Sequence, residues 1–316
     1  MYASAARVKS GKAKPKSKAL RKIARNWDLY IIIAPVVLFF CIFHYAPMYG
    51  LQLAFKNFLA SRGIWGSPWI GFANFTRFFN SFYFVRLIRN TIGLSFYQLA
   101  IGFPAPILLA LMMNEVRSRF FRKTVQMVTY APHFLSMVVL VGMLFALFDV
   151  ERGLVNNFLK LLGADPVSFM GSPQWFKTMY VFSEVWQNAG WKSIIYMAAL
   201  AGIDPQLYEA ASVDGASKLQ KTINITIPGI LPQAIILLIL DVGHIMNIGF
   251  EKVYLMQNAV NMEASDVIST YVYKTGILGA QYSFTTAIGF FNSAINVVLV
   301  LLVNRIARKV SDTSLW

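Results

Sequence analysis

Glu184, Gln187, Asn188 and Lys192 stand three or four positions apart inside one long apolar stretch. On a helix they would share one broad stripe. A second apolar stretch carries Asp241, His244 and Asn247 at three-residue spacing, and a third carries Asn292, Ser293 and Asn296. A charge inside a membrane span costs about 2.5–3.5 kcal/mol on insertion scales, so each such group needs a partner, water or a solute. None of these sets makes a nucleophile with its base. Their chemistry is reversible hydrogen bonding and ion pairing along a polar path. Trp186, Trp191 and Tyr196 could add stacking surfaces for a carbohydrate. The same polar groups could instead tie helices together. Lys192 and His244 would suit an acidic solute, whereas Glu184 and Asp241 could neutralise them as structural pairs.

A different constellation lies between two of these stretches. Tyr208-Glu209-Ala210-Ala211-Ser212-Val213-Asp214-Gly215 is short, polar and rich in small residues, and Ile225-Thr226-Ile227-Pro228 follows it. Asp204-Pro205 reads as an N-cap with Pro in the first turn, which starts a short helix. Small side chains at Ala210, Ala211 and Ser212 allow another backbone to approach. Glu209 offers a charge to a basic partner, and Gly215 permits the turn into the next helix. Local physics alone allows an ordinary solvated link.

The elements that must position these residues are apolar helices. The chain has 316 residues, of which 57% are hydrophobic and only 14% charged, which places it in the membrane class. Six segments are long and apolar enough to span: about 29–54, 90–114, 124–148, 178–203, 222–250 and 284–304. Pro35, Pro104, Pro132 and Pro232 fall inside them, where neighbouring helices can satisfy the freed carbonyls. The expected architecture is all-α and integral to the membrane. Residues 1–27 form a basic tail, 28–309 the membrane domain with a polar link at 204–228, and 310–316 a short C-terminal tail. No small-residue cleavage site follows the first apolar run, so it reads as an uncleaved helix.

Net charge is +15, concentrated in the tail from Arg7 to Arg25, where no acid balances it. Anionic lipid and orientation account for that run, and no nucleic-acid module accompanies it. The Lys and Arg bias puts both termini and residues 204–228 in the cytoplasm. The loop at 55–89 carries Trp65, Trp69, Phe72, Phe75, Phe78 and Phe79, which reads as an interfacial aromatic belt or a docking surface for an external partner. His44 and His133 lie beside Pro in apolar surroundings and read as structural. The single Cys41 excludes a disulfide framework, and no metal site is expected. No Gly-x-x-x-x-Gly-Lys-Ser/Thr phosphate loop occurs in the chain, so ATP chemistry is not expected here.

Residues 209–228 resemble the coupling loop of ABC importer permeases: Glu-Ala-Ala at 209–211, Gly215, Ile225 and Pro228 match, with Ile227 where Leu is usual. The resemblance extends over nearly the whole chain. Phe43 to Gly50, Gly71 to Phe75, Gly249 to Tyr254 and Thr270 to Lys274 are similar to oligosaccharide-importer permeases of the branch that takes up alginate and pectin or rhamnogalacturonan fragments. The resemblance implies a type I importer permease fold with six transmembrane helices. It implies partners: a second homologous permease, two ATPase subunits that hold ATP and Mg, and an extracytoplasmic solute-binding protein. Glu209, Ala210, Ala211, Asp214 and Gly215 would then contact the ATPase. An ion-coupled secondary transporter or channel, or a non-transporting scaffold, are the other classes compatible with a polar-lined bundle.

Overall fold

The computed structural model describes residues 25–310, so most of the basic tail and the final six residues lie outside the described residues. The chain divides into two units at Gln52. In the first unit, α1 (Trp27–Phe40) is followed by one wider turn at Cys41–Tyr45, and none of their residues is buried. His44 lies 5.0 Å from Phe40, ring to ring, within that unit.

The second unit is built on helices α2 (Phe84–Gly102), α3 (Pro104–Glu115), α4 (Arg119–Tyr130), α5 (Met137–Leu147), α6 (Pro173–Ala201), α7 (Pro205–Val213), α8 (Ile227–Gly243), α9 (Phe250–Met256) and α10 (Tyr282–Val310). No β-strand occurs among the described residues; a single bridge joins Lys56 and Trp69. Four continuous helical stretches are long and apolar enough to cross a membrane: Trp27–Phe55, Phe84–Glu115, Lys218–Gly243 and Tyr282–Lys309. α4 and α5 together make a fifth candidate, but they are bent by 104°. The sequence reads 124–148 as one segment. Pro132 ends its first part, and Ser136 starts the second by accepting a hydrogen bond from the Val139 amide. α6 has 29 residues, about 43 Å at 1.5 Å per residue, which exceeds a hydrocarbon core of about 30 Å. Lys177, Glu184 and Lys192 keep it from being apolar throughout.

α6 is the central element and packs against α2, α3, α4 and α8. Its outer-sequence half joins Leu94, Val141, Leu144, Val253 and Val267 in the largest core cluster. Its other half places Tyr196 and Leu200 against Ala110, Ile230 and Ala234. α6 and α4 approach closely because residue 190 has no side chain. A Cβ there would stand 2.0 Å from the Thr129 carbonyl oxygen.

The aromatic loop splits into two populations. Phe75 and Phe78 are buried and pack against α10, through Ala287 and through Phe284 and Ile288 respectively. Trp65, Trp69 and Phe72 remain exposed. The belt or docking reading therefore holds no place for Phe75 and Phe78, whose burial against a span the sequence alone did not reveal. Asn74 pins the loop by donating to the Ala54 and Lys56 carbonyls at 2.9 and 3.2 Å.

Gly190→Ala should leave little folded protein, because backbone lies where the methyl must go. Gly142→Ala, in α5 with nothing within 4 Å of its Cβ, should be neutral or slightly stabilising. Thermal unfolding of the purified variants checks both, and equal melting temperatures would contradict the packing described.

Candidate functional site

α8 stops at Gly243, and three turn residues, His244 to Met246, follow before α9 begins at Phe250. Non-helical backbone at membrane depth needs its polar groups satisfied by protein or by a water-filled cavity. Neighbouring spans supply part of that. The Ser95 hydroxyl of α2 donates to the Ile245 carbonyl, and the Asn296 side chain of α10 accepts from the Met246 amide at 3.1 Å. Asn292 donates to Asn247 Oδ1 at 2.7 Å. The break thereby opens a cavity of about 240 Å³ against α2 and α6, lined among others by Gln98, Tyr180, Glu184, Lys192, Asp241, His244, Asn247 and Lys252.

The charged groups of this chamber are paired. Lys252 Nζ donates to Glu184 Oε2 at 2.9 Å, with the lysine side chain 1% exposed. The same ammonium lies 4.8 Å from the Tyr180 ring centroid, a cation–π contact. The other Glu184 oxygen accepts from Asn188 Nδ2 at 2.7 Å. Asn188 then has only its carbonyl oxygen left for His133 Nδ1 at 2.8 Å, so that ring nitrogen carries the proton. The His133 ring stacks on Trp191 at 4.7 Å. Farther along α6, Lys192 lies 3.8 Å from Asp241 of α8, and both are partly exposed to the chamber.

The structure thus brings together Glu184, Lys192, Asp241, His244 and Asn247 and separates others from them. Gln187 is buried and donates to the Leu135 carbonyl at 3.1 Å, a packing role. Asn296 is likewise buried and spent on the Met246 amide. Asn292 reaches the chamber only through Asn247. Trp186 faces an apolar cavity between α5 and α6, beside Met143, Phe169 and Phe182, because it sits on the opposite side of α6 from the stripe. Tyr196 is a core residue, and Trp191 is covered on one face by His133, so the three proposed stacking aromatics do not converge. His133 has a structural place, as expected, but a polar one: it ends the hydrogen-bonded chain from Lys252. Sequence reading missed Lys252, Tyr180 and Gln98. The signal for Lys252 was available: Glu184 in a span required a cation, and Lys252 follows the end of the neighbouring span.

The second site is the link at 204–228. Asp204 caps α7 by accepting from the Gln206 amide at 2.9 Å. Gly215 adopts φ +74°, a left-handed conformation that glycine supplies without strain. Ser217 and Gln220 form a reciprocal capping box at the start of Lys218–Lys221. Tyr208 reaches back to Thr226 Oγ1 at 3.1 Å, and Lys221 donates to Ser212 Oγ at 2.6 Å. α7 is therefore tied to the foot of α8. Glu209, Ala210, Asp214 and Gly215 are exposed, and Ala211 is half-buried. Leu207, Val213 and Leu219 add an apolar surface, with Val213 89% exposed. Those three residues escaped the sequence reading, which looked for charge and small size.

Residues 102–312 match the profile of the binding-protein-dependent transport system inner membrane component family. The chain belongs to this family. It is a transport permease of the inner membrane and has the type I ABC permease fold. It is 41% identical over 305 residues to the polygalacturonan/rhamnogalacturonan transport system permease YteP of Bacillus subtilis, covering 96% of this chain and 95% of that one. It is also 41% identical to LplB of the same organism, over 93% and 92% of the two chains. Its fold superposes with a TM-score of 0.87, at 43% identity, on a chain of a bacterial ABC transporter involved in import of the acidic polysaccharide alginate. That match covers 93% of this chain and all of the other. A second alginate transporter structure, in complex with an alginate pentasaccharide-bound periplasmic protein, matches with a TM-score of 0.88 at 42% identity, over 95% and 100% of the chains.

Lys252→Met should cost about 3–5 kcal/mol of stability by leaving the Glu184 carboxylate unpaired. Removing both charges in Glu184→Gln/Lys252→Met should recover most of the loss. Unfolding of the two variants in mixed micelles reads the difference; equal losses would show that Lys252 matters only for its packing.

Proposed function

We propose that this chain is one of two permease subunits of an ATP-driven importer that moves acidic oligosaccharides, of the pectin or alginate type, into the cytoplasm. What carries this reading is the near full-length similarity, above 40% identity, both to a rhamnogalacturonan permease and to a chain of an alginate importer. A soluble solute-binding protein delivers the sugar outside, consistent with the periplasmic protein held in the alginate transporter complex. Both termini and the 204–228 link face the cytoplasm. There one of two ATPase subunits, which hold ATP and Mg, docks on α7, and the other docks on the corresponding link of the second permease.

In this reading Glu209, Ala210, Ala211, Asp214 and Gly215 meet the ATPase groove, and Leu207 and Val213 supply apolar anchors. Closure of the ATPases moves α7, and the Tyr208–Thr226 contact passes that motion to α8. α8 ends at the chamber, so a rigid shift at its foot alters the chamber at its head. Rigid-body rocking of packed helices between inward and outward access suits such a bistable bundle. Glu184, Asn188, Lys192, Asp241, His244 and Asn247 line or support the solute path there.

The reconstituted complex, with its binding protein, tests the reading across a panel of neutral and uronate oligosaccharides. Stimulation of ATP hydrolysis by uronate oligosaccharides is expected; stimulation by neutral sugars alone would discard the acidic substrate. Glu209→Lys should lower sugar-stimulated hydrolysis while the subunit still inserts. Unchanged coupling in that variant would remove Glu209 from the docking role.

A further inference from the structure

α2 and α6 flank a second cavity besides the chamber. It has a volume of about 610 Å³, opens toward the N-terminal ends of both helices, and is lined by residues including Arg86, Arg89, Asn90, Lys177 and Glu263. That end of α6 is opposite the 204–228 link. Three cations face one acid. Arg86 is already committed to Asp266, at 3.1 Å. Arg89 and Lys177 form no ion pair among the described residues.

The backbone explains why they meet. A Cβ at Gly93 would lie 2.9 Å from Lys177 Nζ, so the missing side chain lets the lysine reach α2. Arg89 stands one helical turn before Gly93 on the same face. The positive end of the long α6 dipole begins at Pro173, in the same cavity wall. Two unpaired cations in a concave site focus a positive field and attract an anion. The chamber differs in this respect: Lys252 and Lys192 are neutralised there by Glu184 and Asp241. Charge selection for an acidic solute therefore has free cations to work with in the second cavity and not in the first. The two are close. Arg89 to Ser95 and Lys177 to Glu184 are steps of about 9–11 Å along their helices.

We propose that Arg89 and Lys177 form an anion subsite that takes a carboxylate of the incoming oligosaccharide before the sugar reaches the chamber. The proposal rests on the acidic-oligosaccharide reading. The guanidinium can bind a carboxylate through two parallel hydrogen bonds, and the ammonium adds a point charge. A neutral sugar gains nothing there.

Uptake of a uronate oligosaccharide into proteoliposomes holding the whole complex is the test, measured while the loaded binding protein is titrated. Arg89→Gln/Lys177→Gln should lower the maximal uptake rate about tenfold or more, with the half-saturating concentration of binding protein unchanged. The charge-keeping Arg89→Lys/Lys177→Arg should retain most of the rate. An unchanged maximal rate in the glutamine variant overturns the subsite. So does equal loss in both variants, which would make the residues packing elements. A raised half-saturating concentration with an intact maximal rate also overturns it, because the cations would then dock the binding protein. If the unaltered complex moves no uronate oligosaccharide, the acidic-substrate reading falls and takes the subsite with it.

Discussion

A carboxylate and an ammonium held within the bundle constrain everything around them. Glu184 and Lys252 could not remain charged there singly, and their attraction across 2.9 Å fixes α6 against α9. Two further hydrogen bonds extend that constraint through Asn188 to His133, at the bend between α4 and α5. The bend, the end of α8 and the start of α9 are the irregular backbone segments next to the chamber, and side chains of α2, α6 and α10 satisfy part of each. Irregular backbone survives at such depth only under that condition, and it leaves a polar chamber where three continuous helices would have closed one.

The chamber and the 204–228 link are mechanically continuous. Tyr208 and Lys221 bind α7 to the turns that open α8, and α8 runs as one helix to the chamber. A force on the exposed face of α7 has a short rigid route to the polar groups. Flexible connections would dissipate it. Gly215 is the one left-handed turn within the link, and the capping box after it restores order at once. The link meets that need with a compact helix rather than a loop, and Val213 at its end is exposed.

Fold class and the link were legible in the sequence, because both rest on local rules. Apolar length gives spans, Asp204-Pro205 gives a helix start, and Gly215 gives a turn. The chamber was legible in part. Helical spacing gathers Glu184, Asn188 and Lys192 on one stripe of α6, whereas Asp241, His244 and Asn247 meet at the chamber because the expected span 222–250 breaks after Gly243, not because they share a helical stripe. Spacing does not say which neighbour a stripe meets. Gln187 and Asn296 are chemically suited to a path yet are spent on backbone groups of the bends. Trp186 falls about 180° from the stripe's centre line, on the opposite side of α6, and so faces an apolar cavity instead. Glu184 called for a cation, but no local rule selects Lys252, whose partner is 68 residues away in sequence. Phe75 and Phe78 were hidden for the same reason: only tertiary contact with α10 separates a buried loop aromatic from an interfacial one.

The central claim is that the chamber between α6 and the break after α8 is a water-filled solute path and not a packing defect. Asn247→Cys, in a Cys41→Ser background, tests it in the reconstituted complex with a membrane-impermeant thiol reagent. A path predicts that the new thiol reacts, that its rate changes between nucleotide-free and nucleotide-bound complex, and that loaded binding protein alters it. Leu94→Cys, in the adjacent core, should stay inert throughout. If the thiol at 247 is as unreactive as the one at 94 in every nucleotide state, the chamber is not the route.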